Sequence, residues 1–141
     1  MSMEMEGLTE FQNDLLEVAQ KKLPKESLKI MRKVGSKART KVARKARSIV
    51  HKQTGNYQKG FKRGKAFKDS EGKYVVRIIN SQPHAHLIEY GHKQVTKDGR
   101  NIGFVPGKNI LANGMAEFDS SGVYEKELLN WLDDLLESGD L

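Results

Sequence analysis

The sequence predicts an α+β domain: N-terminal helices that include one long basic helix, a small antiparallel sheet of three to four strands, and a C-terminal helix. Three observations point there. Apolar residues recur at three- and four-residue steps towards both ends of the chain. The middle carries alternating apolar residues bounded by Asp- and Gly-containing turns. With 141 residues and 37% hydrophobic content, the chain suits a single domain spanning residues 1–141.

Residues 1–8 are expected to form a flexible arm and residues 9–52 to be helical. Leu8, Phe11, Leu15, Val18, Ala19 and Leu23 make the stripe of a first helix over residues 9–23. Thr9 and Gln12 have capping-box spacing, because the Thr oxygen accepts an amide while the Gln reaches back. Pro24 closes that helix and suits the first position of the next. The second helix is expected over residues 25–52, roughly 40 Å long at 1.5 Å per residue. Its stripe is Leu28, Met31, Val34, Ala38, Val42, Ala46 and Ile49, with a kink expected at Gly35-Ser36. Gln53-Thr-Gly-Asn56 stops it, Gly55 supplying the left-handed conformation found past helix ends.

An antiparallel sheet is expected over residues 57–105. Strands over 57–68 and 73–80 flank the loop Asp69-Ser-Glu-Gly72. Tyr74, Val76 and Ile78 point one way and Val75, Arg77 and Ile79 the other, which predicts cover on both faces of the second strand. After Pro83, residues 84–90 form a short helical turn ending at Gly91. Lys97-Asp98-Gly99-Arg100 marks a second hairpin, with Asp-Gly in a primed turn. A C-terminal helical segment follows over 108–137: one helix over 109–118, a break at Asp119-Ser-Ser-Gly122, then an apolar face of Tyr124, Leu128, Trp131, Leu132 and Leu135.

Charge is strongly segregated. Residues 1–20 carry −5, residues 21–68 carry +17, residues 69–116 carry +2 and residues 117–141 carry −7, within a net charge of +7. A basic block between acidic ends predicts contact with nucleic acid, or acid-to-base docking between protein surfaces. Candidates on the basic side are Lys37, Lys41, Arg44, Lys45 and Arg47; Asp133, Asp134 and Glu137 are the candidate acidic docking surface. Absence of cysteine removes disulfides and thiolate chemistry and is in keeping with an intracellular setting. No run approaches the ~18 apolar residues of a membrane span, and the first residues lack the pattern of a signal peptide. No membrane association is therefore expected.

Reactive constellations are sparse. His84-Ala-His86-Leu-Ile-Glu89-Tyr-Gly-His92 gathers three imidazoles and a carboxylate, all potential zinc ligands. Only His86 and Glu89 share a helix face, and Gly91 redirects the chain before His92, so the spacing favours a structural turn at Glu89, Tyr90, Gly91 and His92. No Gly-x-Ser-x-Gly elbow and no phosphate-binding Gly-x-x-x-x-Gly-Lys run is present. The expectation is a non-enzymatic protein with no catalytic residue, no cofactor and no metal.

The ordered set Thr54-Gly-Asn-Tyr57, the Tyr74-to-Asn80 strand, Ala85-His-Leu-Ile-Glu-Tyr-Gly-His92 and Gly103-Phe-Val-Pro-Gly107 resembles a known family. It is that of the tailed-phage head–tail joining (tail-completion) proteins, the gene-product-ten family of phage Hong Kong ninety-seven. The resemblance runs over residues 20–137 or so, and departs from the family pattern at Tyr57, at His92 and at the break of Asp119 to Gly122. It implies a virion or prophage component that joins tail to head connector and forms a ring, a hexamer being the implied size. The implied partners are further copies of itself, the head connector, the tail tube or terminator, and double-stranded DNA in passing. The implied places are the virion neck or tail and, during assembly, the host cytoplasm. A basic nucleic-acid-binding protein is the alternative.

Overall fold

One 26-residue helix is the spine on which the other elements pack. The computed structural model describes Met3, residues 8–50 and residues 55–141. Helix α1 (Glu10–Lys22) is opened by the full capping box, Thr9 accepting from the Gln12 amide while the Gln12 side chain accepts from the Thr9 amide. Its inward residues are Leu16 and Ala19; Phe11 and Val18 face solvent. That departs from the expected stripe: Leu15, Leu16 and Ala19 meet the core, while Phe11 and Val18 are turned to a side that no described residue covers.

Helix α2 (Pro24–Ile49) begins with Pro24 in its first turn. It buries Ile30, Met31, Val34, Ala38, Val42, Ala43 and Ala46. Leu28 is only half-buried and Ile49 is exposed. The helix ends at Ile49, with Val50 extended, short of the expected end near Lys52. The Gln53-Thr54 stop lies outside the described residues, as do residues 1, 2 and 4–7 of the expected arm. Met3 is buried, and its amide donates to the Tyr74 carbonyl at 3.0 Å. Helix α2 is continuous through Gly35-Ser36, where a kink was expected. Gly35 serves close packing instead: a Cβ there would lie 2.8 Å from Val76 Cγ2. Replacing Gly35 with Leu should therefore destabilise the protein by about 2 kcal/mol through overpacking, read as a lower urea midpoint at unchanged slope.

Gly55 takes the left-handed conformation at φ 80° and opens a single turn, α3 (Asn56–Lys59). The strand expected from residue 57 therefore starts later. Strand β1 (Phe61–Arg63) pairs with β4 (Ile78–Asn80), and β2 (Phe67–Lys68) pairs with β3 (Tyr74–Val75), both antiparallel. Together they are one interrupted hairpin whose register slips by one residue between the ladders, a bulge at Lys65-Ala66. Tyr74, Val76 and Ile78 face the core, whereas Arg77 and Ile79 are exposed. Cover on both faces is thus corrected to one: α2 lies on the inner side, and none of the described elements packs on the outer. The turn at Asp69 forms as expected, its carboxylate accepting from the Glu71 and Lys73 amides.

Helix α4 (Ala85–Tyr90) ends at Gly91, and a second hairpin follows from β5 (Gly91–Val95) and β6 (Asn101–Pro106). Its turn differs from the primed form. The Gly99 amide donates to Thr96 O, the Thr96 amide to Arg100 O, and only Gly99 has positive φ. That is a type I turn closed by a glycine bulge. The expected sheet of three to four strands is thus three separate two-stranded ladders. Helix α5 (Ile110–Ser120) and helix α6 (Val123–Ser138) complete the chain, separated at Gly122 (φ 75°) as the sequence predicts.

Two cores share the spine. The N-terminal half of α2 joins Leu16, Tyr74, Val76, Phe118, Leu128 and Leu132. Its C-terminal half joins Val42, Ala43, Ala46, Phe61 and Ile110. At the second, α5 crosses closely, Gly114 placing a notional Cβ 3.0 Å from Val42 Cγ2. No helix among the described residues is long and apolar enough to cross a membrane.

Candidate functional site

The Glu89-Tyr90-Gly91 turn and the Pro106-Gly107 segment are brought together as one strap. Ile88 O accepts from the Lys108 amide at 2.8 Å and Glu89 O from the Asn109 amide at 3.1 Å. The buried Glu89 carboxylate then accepts from the Leu111 amide at 2.8 Å through Oε1 and from the Ala112 amide at 3.1 Å through Oε2. Those are first-turn donors of α5, which otherwise lack a partner. Asn109, the residue at the cap position, is left-handed at φ 47° and its side chain makes no cap bond. A carboxylate 22 residues upstream thus caps α5, where the helix dipole favours negative charge.

The glycines make the crossing possible. Gly91 sits at φ 89° and ψ 175°, a region essentially reserved for glycine. A Cβ on it would lie 2.4 Å from Val105 O, and one on Gly107 would lie 2.3 Å from Glu89 O. Tyr57, Phe61, Asn80, His86 and Glu89 line a recess of about 150 Å³ behind the strap. Burial pushes the Tyr57 hydroxyl up to about 12, with the charge of Glu89 adding to it. His84, His86 and His92 are exposed, as is Tyr90. Among the described residues no group of three or more His, Cys, Asp or Glu is placed to hold a metal ion. Both oxygens of Glu89 are occupied by amides, which gives this carboxylate a structural task.

The basic candidates divide in two. Lys33, Lys37, Lys41 and Lys45 recur every four residues and form one row along α2. Lys33 (3.0 Å) and Lys37 both meet Glu127 of α6, while Lys41 (3.8 Å) and Lys45 (2.5 Å) meet Glu117 of α5. Arg44 and Arg47 stand outside this ladder and are exposed. Asp133, Asp134 and Glu137 are exposed on α6, Asp134 lining an open groove of about 800 Å³ with Glu26, Lys29 and Trp131. Acid-to-base matching therefore exists within the chain, through Glu117 and Glu127. Sequence reasoning passed over that pair, although the four-residue lysine spacing was a signal that a row of partners was needed.

Hydrogen bonds from Lys45 hold the Glu117 carboxyl below its usual range, and those from Lys37 and Lys33 do the same for Glu127. A carboxylate with a depressed folded-state value stabilises fully above its ordinary value and ceases to do so as pH falls through the lowered one. Replacing both glutamates with Gln should therefore flatten the stability–pH curve below pH ~4.5 and barely alter it in high salt near neutrality. Urea titrations across that range provide the check.

Residues 9–91 match the HK97-gp10-like family, described as "Bacteriophage HK97-gp10, putative tail-component". The chain belongs to that family. The matched residues run from the capping box to Gly91, so the family pattern ends on the strap's own glycine; β6, α5 and α6 lie beyond it. No curated protein and no solved structure matches the chain. Membership makes this a phage tail-component protein, and within it the Glu-Tyr-Gly element joins the α2 cores and the lysine ladder in holding the matched part of the chain to the rest.

Proposed function

We propose that the chain is a structural, non-enzymatic virion protein that completes the tail and joins it to the head connector, acting as a ring. The observation that carries this reading is the tail-component family match over residues 9–91. Supporting it, the one carboxylate of the most reactive-looking cluster caps α5. Its partners are further copies of itself, the connector on one side and the tail tube or terminator on the other. Its places are the host cytoplasm during assembly and then the neck of the virion. Disrupting the gene should leave filled heads and finished tails unjoined in lysates, and adding purified protein should restore joined, infective particles. Joined particles at normal yield without the protein would refute the reading.

Sequence-independent nucleic-acid binding is the second reading, favoured by one feature. Arg39, Arg47 and Lys59 line a recess at the C-terminal end of α2, and Arg44 is exposed at a separate groove beside Lys37 and Lys41. Duplex DNA affinity should fall with log salt at a slope of about −0.9 per phosphate neutralised. Replacing Arg44 and Arg47 with Glu spares the lysine ladder, and should reduce that slope by about 2 while assembly persists. Loss of assembly instead would assign these arginines to a subunit contact.

A further inference from the structure

The β5–β6 hairpin carries an apolar face that none of the described residues covers. Lys93 is paired with Phe104 and Val95 with Asn101, and the register shifts between Gln94 and Val95, leaving Ile102 as the extra residue. Paired residues point to one side of a ladder and alternate along each strand. Lys93, Val95, Ile102 and Phe104 therefore share a face. Val95, Ile102 and Phe104 are 60%, 62% and 60% exposed. A two-stranded hairpin is marginal by itself, and a contiguous apolar surface of this kind marks an interaction site.

A second uncovered apolar face lies on α1. Phe11 and Val18 lie together on a side of the helix turned away from Leu16 and Ala19, 67% and 42% exposed, while Leu15 between the two sides packs against the core. The two faces are complementary in charge. The hairpin carries Lys93, Lys97 and Arg100 against Asp98, whereas α1 presents Glu10, Asp14 and Glu17 before its first lysine. They also belong to opposite halves of the spine. Leu16 and Ala19 of α1 pack in the core of Ile30, Met31 and Val34. The hairpin is carried by α4, whose Ile88 packs in the core of Val42, Ala43 and Ala46.

We propose that the apolar face of the β5–β6 hairpin docks onto the outer face of α1 in a neighbouring copy of the same chain. Two hairpins facing each other would oppose like charges, and so would two α1 helices. Hairpin to α1 joins unlike ones and leaves a free patch at each end of every pair. Such a heterologous contact propagates head to tail, and closes into a ring when the rotation allows. This interface rests on the ring reading above and names the surfaces that form it.

Sedimentation velocity of the full chain over a concentration series tests it. The unaltered chain should associate. Phe104→Glu and Val18→Glu should each weaken association about tenfold or more, since a charge would be buried at an apolar contact. Both sites are exposed, so thermal unfolding should be unchanged; Ile102→Glu and Phe11→Glu are the replacement pair if either first variant loses its fold. Mixing the two variants is decisive. One copy then offers an intact hairpin and the other an intact α1, so the mixture should form pairs and stop there. An unaltered chain that associates while either variant does so equally well, or a mixture that forms no pairs, overturns this interface and leaves the ring reading standing. An unaltered chain that stays monomeric at every concentration overturns both.

Discussion

Replacing Gly107 with alanine should cost about 4 kcal/mol, enough to unfold a marginal domain. A single methyl there would lie 2.3 Å from Glu89 O and 2.5 Å from Tyr90 C, both of them backbone atoms. No side-chain rotation relieves such a contact. The two segments must separate, and separation breaks the bonds from the Lys108 and Asn109 amides together with the Glu89 cap. Gly91→Val should act through the same crossing, with the added strain of a branched side chain at φ 89°. Far-ultraviolet circular dichroism during urea unfolding provides the reading, and a loss below about 1 kcal/mol for either variant would contradict the close crossing.

Glu89→Ala should be the next most severe change, at about 2–3 kcal/mol. It removes the carboxylate that accepts from the Leu111 and Ala112 amides, and bonds to a charged acceptor contribute about 1.5–3 kcal/mol. Glu89→Gln keeps one oxygen of similar reach and should cost about half as much, because the charge opposite the helix dipole is lost while one bond survives. Amide hydrogen exchange separates this from a general loss of stability: protection should fall first in the opening turn of α5. Equal effects of Ala and Gln would mean that the carboxylate does not act as a cap.

Much of the local structure is legible in the sequence because its causes are local. The Thr9–Gln12 box, Pro24 in the first turn of α2, the left-handed Gly55, the helix break ending at Gly122 and the Asp69 turn each depend on residues within a few positions. What escaped depends on distant partners. Phe11 and Val18 satisfy a helical stripe as well as Leu16 does, and only the placement of α1 decides which is covered. The bulge at Lys65-Ala66 arises from how β1 and β2 meet the opposite strand, so alternation within one strand does not reveal it. Gly35 reads as a kink from its propensity alone, whereas its cause is Val76 pressing on α2 from 41 residues away.

The candidate sites follow the same rule. The Glu-Tyr-Gly turn reads as a local turn in the sequence, whereas the contact of Glu89, the first turn of α5, lies beyond a whole hairpin. The lysine row was recognisable as a surface. Its acids were sought at Asp133, Asp134 and Glu137, because those are the most concentrated charges in the C-terminal segment. Packing places Glu117 and Glu127 against the row instead. Burial and crossing geometry decide which charges meet, and composition records only that both signs are present.

Electron cryomicroscopy of the intact tailed particle tests the central claim most directly. The account predicts copies of this chain arranged as a ring between the head connector and the tail tube. Particles with a complete head–tail joint from which the chain is absent would contradict it.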